Sequence, residues 1–374
     1  MQKFGRLLVK GLAKNGIDIH TLSAAPVSNS TSKRICWNEQ SEEEDGVRYR
    51  YVPFINIPGL RHVCLFVYSF FYVLYWGIGN RKDKAIICDV LNISLCIGSL
   101  YASKIVKIKS VGVVTDIPAF ASVSDNNISG KKGSMKKKIN QSYLSKFICY
   151  VILTEQMNEV VNKKHCPYIV IEGLADVNMK EHKTNKSTSD IRTVMYAGGL
   201  FARYGLKTLV EAFMTLPLSN IRLALYGDGQ FVDELKKYQQ KDPRICYLGV
   251  VPNEKIVSAE LSATLLVNPR PTTEEFTKFS FPSKNMEYMV SGTPLLTTTL
   301  PGMPKEYYPY VYLFDKETTE GYAEVLLKVL SLPNKDIEDK GQKAKEFVLS
   351  KKNNVVQAAR LLSLINDNSS NKYR

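Results

Sequence analysis

The segment TVMYAGGLFARYGLKTLVEAF, residues 193–213, contains a predicted strand, a glycine pair and a predicted helix in one run. Its first part, TVMYA (193–197), has the β-branched and aromatic composition of a strand. After the loop, apolar residues recur at the spacing of one helix face: Leu206, Leu209, Val210 and Phe213. A strand that passes through a short loop into a helix is the repeating unit of a parallel α/β sheet. The segment therefore predicts an α/β fold.

The same alternation of β-rich runs and helical patterns extends from this segment in both directions. Before it, the candidate strands are residues 17–22, 47–52, 85–90, 111–115, 148–153 and 168–172. From its own strand onward, they are residues 193–197, 221–227, 263–268 and 294–299. Several are apolar throughout, as strands covered on both faces are. We predict two doubly wound, Rossmann-like domains.

Length and one polar stretch predict the domain boundaries. With 374 residues, the chain exceeds the roughly 250–300 residues at which a single core stops growing. The stretch KEHKTNKSTSD (180–190) has the composition of a linker. We predict an N-terminal domain over residues 1–178 and a C-terminal domain over residues 191–336. Residues 337–374 are predicted to form helices that can pack back across the first domain.

The chain starts in a helical pattern, MQKFGRLLVKGLAKNG (1–16), rather than in a strand. A doubly wound domain ordinarily opens with a central strand and a glycine-rich turn. We therefore expect about 10–20 residues, including that first strand, to be missing before this start. A stop codon directly upstream in the same frame would contradict this expectation.

The composition excludes several classes of protein. Hydrophobic content of 44% with 23% charged residues is typical of a folded globular chain, not of a fibrous or disordered one. The seven cysteines include no CxxC pair and the four histidines are scattered, so we expect reduced thiols and no metal site. A formal charge of +14 favours an anionic partner, either nucleic acid or the inner face of a membrane.

Two segments bear on localisation, which we predict to be cytoplasmic because the start lacks a signal-peptide pattern. The run VCLFVYSFFYVLYWGIG (63–79) carries no charge but barely reaches spanning length. We interpret it as a buried or interface-lying helix rather than a transmembrane span. A cluster of lysines follows in a polar loop: Lys131, Lys132, Lys136, Lys137 and Lys138. Such clusters are usually solvated surface, but beside an apolar run this one also suits peripheral docking on anionic lipid.

The segment SFPSKNMEYMVSG, residues 280–292, predicts an anion site at the start of a helix. Pro282 suits a helix N-terminus, Ser283 can supply a capping hydroxyl, and Lys284 adds a cation. The helix dipole and free N–H groups favour negative charge, so a diphosphate is a plausible occupant. Glu287 projects from the same face as Lys284 and can accept hydrogen bonds from vicinal hydroxyls. An ordinary capped helix with a solvated lysine–glutamate pair explains the pattern equally well.

Glycines at two strand ends predict that a ligand can approach the backbone closely. Gly198 and Gly199 follow the strand of the opening segment, and Arg203 in the next loop is available to pair with phosphate. Gly227 and Gly229 follow the next strand along the chain. A tight turn explains each glycine pair at least as well.

Taken together, these segments resemble glycosyltransferase family 4. The resemblance covers nearly the full chain and is strongest over residues 194–311, in the ordered series YAGGL, LVEAF, LYGDG, YLGVVP, LLVNPRP, FPSK, EYM, SGTP and LPGMPKEY. It implies the GT-B fold, in which two Rossmann-like domains face a cleft. The first domain would bind the acceptor and the second a UDP- or GDP-linked sugar. It also implies retention of anomeric configuration, no metal, and a place in capsular and exopolysaccharide assembly.

The resemblance assigns donor-binding residues and also shows departures. Glu287 matches the family's ribose-binding glutamate, and the amides near Ser283 match its diphosphate-binding helix start. The family's first glutamate, eight positions earlier, is Phe279 in this chain. Its contact with the donor sugar would pass to Glu275 or Lys278.

The cations of the family's glycine loop are also absent. Its usual arginine and lysine align with Gly199 and Tyr204. Arg203, Arg270 and Lys284 would therefore neutralise the diphosphate.

Asp116 is the candidate site residue of the first half. It follows the strand at 111–115, and Pro118 enforces a turn after it, so a turn aspartate is as good an interpretation. The family's catalytic-cleft histidine falls near this position, and the resemblance therefore places Asp116 there. Together with Lys284 and Glu275 it completes the predicted catalytic set.

We therefore predict a retaining glycosyltransferase that moves a sugar from a nucleotide diphosphate sugar to a glycan or lipid-linked glycan acceptor. No strong base is required if the leaving diphosphate takes the acceptor's proton, so catalysis would depend on charge stabilisation. An inactive homologue that binds a partner is an alternative, because the first glutamate and the loop cations are absent. A nucleotide-sugar epimerase of the same fold is another. Nucleic-acid binding is suggested by charge alone and is not expected.

Overall fold

The computed structural model describes residues 3–27, 32–78, 84–117, 142–178 and 191–370. The chain divides into two compact units, which we call unit 1 (Met1–Leu174 with Asn354–Arg374) and unit 2 (Ala175–Asn353). The predicted linker 180–190 and the lysine cluster lie outside the described residues. The division after Asn353 falls inside the segment 337–374 that the sequence had grouped together.

The described helices alternate with strands along most of the chain. The helices are α1 (Lys3–Lys14), α2 (Leu60–Gly77), α3 (Ile93–Ile105), α4 (Glu155–Val161), α5 (Leu206–Met214), α6 (Val232–Lys241), α7 (Asn253–Ser262), α8 (Ser283–Ser291), α9 (Thr319–Leu330), α10 (Asn334–Lys351) and α11 (Asn354–Ser370). Short 3-10 turns occupy Ala202–Tyr204, Glu275–Phe279 and Lys305–Tyr310.

The strands of unit 1 are β1 (Cys36–Trp37), β2 (Gln40–Glu44), β3 (Val47–Tyr51), β4 (Phe54–Ile55), β5 (Ala85–Asp89), β6 (Lys109–Val114), β7 (Cys149–Ile152) and β8 (Tyr168–Val170). Those of unit 2 are β9 (Arg192–Ala197), β10 (Ile221–Tyr226), β11 (Ile245–Gly249), β12 (Leu265–Asn268), β13 (Leu295–Thr297) and β14 (Tyr312–Leu313).

Unit 2 has one parallel sheet in the order β11-β10-β9-β12-β13-β14. From β9, the sheet continues through β10 to β11 on one side and through β12 and β13 to β14 on the other. The order therefore reverses between β9 and β12, as in a doubly wound Rossmann sheet. This reversal decides where a ligand can bind.

Helices cover both faces of the unit 2 sheet. On one face, α5 and α9 enclose an apolar cluster that contains the four residues of the predicted helix face, each fully buried: Leu206, Leu209, Val210 and Phe213. On the other face, α8 contributes Met286 and Met289 while α10 contributes Phe347 and Val348. The prediction of a doubly wound α/β domain is confirmed here.

Unit 1 also contains a parallel sheet, but its four strands lie in chain order, β5-β6-β7-β8. Helices α1 and α11 pack together against it, with Leu8 and Leu361 in one apolar cluster with Val111 and Val151. Two antiparallel strand pairs, β1 with β4 and β2 with β3, stand apart from this sheet.

Two predicted strands of the first half differ from the structure. Residues 17–22 form no strand; the Thr21 hydroxyl instead bonds the backbone of β3, accepting from Arg50 N and donating to Arg48 O. Residues 47–51 do form a strand, but β3 pairs antiparallel with β2 across an Asp45–Gly46 turn instead of joining the parallel sheet.

The apolar run 63–79 lies mostly in α2, which packs along α3. In the described part of the chain, no helix is long and apolar enough to cross a membrane. The interpretation of this run as a helix other than a transmembrane span therefore agrees with the structure.

Candidate functional site

The loops after β9 and β12 meet where the strand order of unit 2 reverses. Ligands of open α/β sheets bind at the carboxyl ends of the strands at such a reversal. Gly205, at the end of the β9 loop, lies so close to the β12 loop that a Cβ on it would be 1.9 Å from the Pro269 oxygen. The two loops form one continuous backbone surface.

Glycines allow the β9 and β10 loops to lie side by side. Gly198 N donates to Tyr226 O at 2.9 Å, and Leu200 N donates to Asp228 O at 2.8 Å, so the ladder continues beyond the strands. Gly227 has φ +125°, and a Cβ there would lie 1.8 Å from the Gly198 oxygen. Only glycine fits this position. A Cβ on Gly229 would lie 2.3 Å from the Leu200 oxygen.

Lys284, in the first turn of α8, extends its side chain to the end of β9. A Cβ on Gly198 would lie 2.4 Å from Lys284 Cε and 2.8 Å from its Nζ, so glycine leaves the room that the ammonium occupies. Burial lowers the pKa of Lys284, and nearby Glu287 and Glu260 oppose that shift. No side chain among the described residues accepts a hydrogen bond from this ammonium. An anion at the end of β9 would supply the missing partner.

The start of α8 has no side-chain cap. Pro282 is the N-cap residue, and Ser283 is exposed and makes no capping hydrogen bond. The expected capping hydroxyl of Ser283 is therefore wrong, because the helix begins one residue too early for it to act. Asn285 N donates to Pro282 O, which leaves the amides of Ser283 and Lys284 without an acceptor among the described residues. Such amides are the donors that bind phosphate at helix starts.

Two buried tyrosines fix this helix start against the strand end. Tyr288 of α8 accepts from Ala197 N at 2.9 Å and donates to Ala197 O at 3.3 Å. Tyr196 donates to Gly199 O at 3.0 Å, which holds the glycine loop in place. The hydrogen bonds of Tyr288 thus hold α8 in a fixed position relative to the end of β9.

Arg270, two residues after β12, lies against two aromatic rings that also contact each other. Its guanidinium carbon is 4.7 Å from the centre of the Tyr204 ring and 5.4 Å from that of Phe276. Burial lowers its pKa, and its Nε is buried without a hydrogen-bond partner. Arg203 is exposed and stacks near Phe201 and Tyr204 instead. Of these two predicted cations, Arg270 is the desolvated one.

A pair of buried asparagines supports the site, and the sequence reasoning missed it. Asn268, the last residue of β12, donates from Nδ2 to Asn285 Oδ1 of α8 at 2.6 Å. Asn285 is buried, and its own Nδ2 has no partner. The pair ties β12 to the helix start. In the sequence, the pair is visible only as an asparagine in each of the runs LLVNPR and SKNMEY. The spacing of these two residues does not indicate that they are in contact.

The remaining donor-side candidates lie on the 3-10 turn before α8 or farther along α8. Glu275 and Lys278 are exposed, and Phe279, at the position of the family's first glutamate, is half-buried. Glu287 is half-buried, and its charge is close enough to Lys284 to oppose the lowering of the Lys284 pKa by burial. The structure brings Glu287 to the site, whereas Glu275 and Lys278 lie on the 3-10 turn with exposed side chains.

Asp116 belongs to unit 1 and follows β6. Burial raises the pKa of its carboxyl, while a hydrogen bond from Ile117 N at 2.7 Å opposes the shift. This is the geometry of a turn aspartate with one oxygen engaged. The described residues include no group of three or more metal-ligating side chains.

Residues 178–347 match the family model of glycosyl transferases group 1. This range contains the glycine loops, Arg270 and the start of α8. No curated protein matches the chain at a significant level.

Solved structures of similar fold are distant in sequence. Sucrose-phosphate synthase from Thermosynechococcus elongatus is 14% identical, with a TM-score of 0.67 over 98% of this chain and 93% of that one. Anabaena HepE in complex with UDP is 16% identical, with a TM-score of 0.59 over 85% of each chain. A glycosyltransferase from Rickettsia africae is 13% identical, with a TM-score of 0.59 over 85% of each chain.

These likenesses concern the fold, and the family match concerns the domain that holds the site. Both agree with the strand order of unit 2. Residues 178–347 are therefore a glycosyl transferases group 1 domain in a chain of GT-B fold, and the predicted class, a glycosyltransferase enzyme, is confirmed.

Proposed function

We propose that unit 2 binds a nucleotide diphosphate sugar with its diphosphate between the Gly198–Gly199 loop and the start of α8. The observation that carries this proposal is the position of the Lys284 ammonium, desolvated and against Gly198 at the sheet reversal. A desolvated lysine beside free helix amides favours an anion strongly, because little water screens the attraction. Arg270 supplies a second cation on the β12 side.

The proposed reaction transfers the sugar with retention. The acceptor hydroxyl oxygen forms a bond to the anomeric carbon on the face from which the diphosphate leaves, and the carbon–oxygen bond to the diphosphate breaks. The leaving phosphate oxygen takes the hydroxyl proton. Lys284 and the α8 amides stabilise the charge that develops on that oxygen, and this is the contribution that lowers the barrier. The reaction needs no metal.

Glu287 is proposed to hold the ribose hydroxyls, since its half-buried carboxylate lies on α8 near Lys284. We assign the donor sugar to Glu275 or Lys278, whose side chains are exposed on the 3-10 turn before α8. We assign acceptor recognition to unit 1, with Asp116 as its candidate polar group. The proposed acceptor is a glycan or lipid-linked glycan of surface polysaccharide assembly.

A thermal-shift screen with UDP, GDP and their sugars tests donor binding directly. We expect one nucleotide diphosphate to raise the unfolding temperature of the wild type and not that of Lys284→Ala. UDP is the first choice because the HepE structure of similar fold holds it. A wild-type protein that responds to none of these nucleotides contradicts the proposal.

Product analysis then separates transfer from its rivals. A new glycoside whose anomeric configuration equals that of the donor supports retaining transfer. An altered free nucleotide sugar, formed without acceptor, would show an epimerase instead. Donor binding without any product would favour a binding homologue, for which Phe279 in place of a glutamate is the supporting observation.

A further inference from the structure

One face of α2 in unit 1 is apolar and exposed along the whole helix. Six residues at three- and four-residue spacing form this apolar stripe: Leu60, Val63, Val67, Phe71, Tyr75 and Ile78. Phe71 is 62% exposed and Tyr75 is 82% exposed. Large apolar patches of this kind on soluble domains mark sites of interaction.

The opposite face of α2 packs on α3, and it holds the stripe in place. A Cβ on Gly98 of α3 would lie 2.2 Å from Ser69 Oγ, and a Cβ on Gly77 would lie 2.6 Å from a methyl of Val106. Both contacts join residues 29 apart, so the helices run parallel and in close contact. Ile105, which is 61% exposed, thus lies at the same end of the pair as Tyr75 and Ile78.

That end of the pair is basic. Lys84 donates to Trp76 O at 2.6 Å, and Lys146 donates to the Tyr101 hydroxyl at 2.6 Å. Burial lowers the pKa of Lys104, and the neighbouring charges of Lys146 and Lys164 lower it further. We call these four lysines the basic end.

Carboxylates are absent from both helices: neither Leu60–Gly77 nor Ile93–Ile105 contains Asp or Glu. The surface therefore combines an apolar stripe, exposed tyrosines and cationic charge, and its two helices contribute no carboxylate. An anionic bilayer complements all three, because tyrosines favour the interface and lysines bind its headgroups. A second copy of the chain has the same formal charge of +14, and the same two helices would bring no carboxylate to pair with these lysines.

The length of α2 is consistent with a helix that lies on the surface of a bilayer. The 18 residues of α2 extend about 27 Å, and no described helix is long and apolar enough to span a bilayer. A helix with one exposed apolar face beside basic residues lies in the plane of the interface.

We propose that the apolar stripe and the basic end dock unit 1 on the surface of an anionic lipid bilayer, with α2 in the plane of the interface. The proposal does not depend on the proposed transfer reaction. Vesicle binding requires neither donor nor turnover, so either proposal can fail without the other.

Co-sedimentation of the full chain with vesicles tests it. One set contains phosphatidylcholine alone and the other an equal mixture with phosphatidylglycerol. We expect binding to the mixed vesicles, weakened by salt, and a loss of about tenfold in Ile105→Asp or Phe71→Asp, the amount expected when one apolar side chain stays out of the interface. Equal binding to both vesicle types, or no binding to either, overturns the proposal.

Ile35→Asp is the matched control, because Ile35 is an isoleucine of unit 1 with 57% exposure outside the stripe. It should bind like the wild type. Replacing Lys104 and Lys146 with Gln should reduce binding to the mixed vesicles only. Unfolding temperatures close to that of the wild type would show that each variant is folded. Self-association of the wild type without lipid, abolished by Phe71→Asp, would identify a protein partner and overturn the proposal.

Discussion

The start of α8 in unit 2 and the outer face of α2 in unit 1 depart from the usual distribution of side chains in opposite directions. Around α8, polar groups are withdrawn from water: Lys284 and Arg270 are half-buried, which lowers the pKa of each, and Asn285 is buried. Along α2, large apolar groups such as Phe71 and Tyr75 face solvent. Each arrangement costs free energy in the isolated protein, since buried charge and exposed apolar surface are both unfavourable.

Both departures are relieved by a partner, and the difference between them indicates which partner. A desolvated cation is satisfied by an anion small enough to enter a strand-end loop. An exposed apolar stripe is satisfied by an extended apolar surface. The comparison predicts that substitutions at α8 will affect ligand binding and turnover, whereas those on the stripe will leave them unchanged.

Lys284→Ala should have the largest effect. If Lys284 stabilises the leaving diphosphate, its removal lowers turnover by about two to three orders of magnitude, the range found for single oxyanion donors. Steady-state kinetics with the best donor from the nucleotide screen measures this. Lys236→Ala, at an exposed lysine of α6, should keep wild-type turnover. Wild-type turnover in Lys284→Ala with any competent donor would remove the catalytic role.

Arg270→Met should give the next largest effect and should separate binding from stability. A charge-assisted hydrogen bond contributes roughly 1.5–3 kcal/mol, so the dissociation constant for the nucleotide diphosphate should rise about ten- to hundredfold. The unfolding temperature of the free protein should stay the same or increase, because an apolar side chain replaces a half-buried cation whose buried Nε has no partner.

Arg203→Met sharpens the same test. Arg203 is exposed, so water screens its interaction with an anion, and the dissociation constant should change less than in Arg270→Met. Titration calorimetry of both variants measures the difference. A larger loss in Arg203→Met would show that the buried cation is structural and that the exposed one binds the donor.

The sequence predicts four of the six described strands of unit 2, β9, β10, β12 and β13, because each is a short apolar run next to a helical pattern. It missed the edge strands β11 and β14, which are less completely buried. It did not predict that Asn268 and Asn285 would form a buried pair, because strand β12 and helix α8 are brought together only by the tertiary fold. The aromatic rings around Arg270 are also far apart in sequence, at Tyr204 and Phe276. Glycine pairs and a lysine at a helix start indicated the site, but not which cation is buried.

Prediction was weaker in unit 1 for a related reason. The run VRYRY has the composition of a strand, but that composition does not show which strand it pairs with. Local pattern therefore cannot distinguish a strand of the parallel sheet from one strand of the β2–β3 hairpin. The Asp45–Gly46 dipeptide was the available signal for that turn. For α2, the lack of charge showed an apolar helix, but not that only one of its faces would be covered.

Two valines of α2 compare its two faces within one helix. Val73 is 4% exposed and Val67 is 41% exposed. Val73→Ala should lower the free energy of unfolding by about 1.5–2.5 kcal/mol through lost burial and a cavity. Val67→Ala should change it by less than about 0.5 kcal/mol. Urea denaturation without lipid measures both, and equal losses would mean that the stripe is covered in solution.

The smallest expected effect is the pH dependence of Lys284. Burial lowers the pKa of Lys284, so the folded protein loses this proton at a lower pH than the unfolded chain, whose lysines titrate near about 10.4. Between these two values the unfolded chain binds more protons, and the free energy of unfolding therefore gains a contribution that rises with pH.

Binding of a nucleotide diphosphate should change in the opposite direction, because the neutral amine no longer attracts the anion. We expect affinity to fall by at most about tenfold per pH unit above the lowered pKa. Lys284→Arg retains its charge over this range and should abolish the dependence. Calorimetric titrations of wild type and Lys284→Arg with the same nucleotide measure it. If both proteins lose affinity equally, the titrating group is elsewhere, and the half-buried Lys284 ammonium at the end of β9 is not the one that binds the diphosphate.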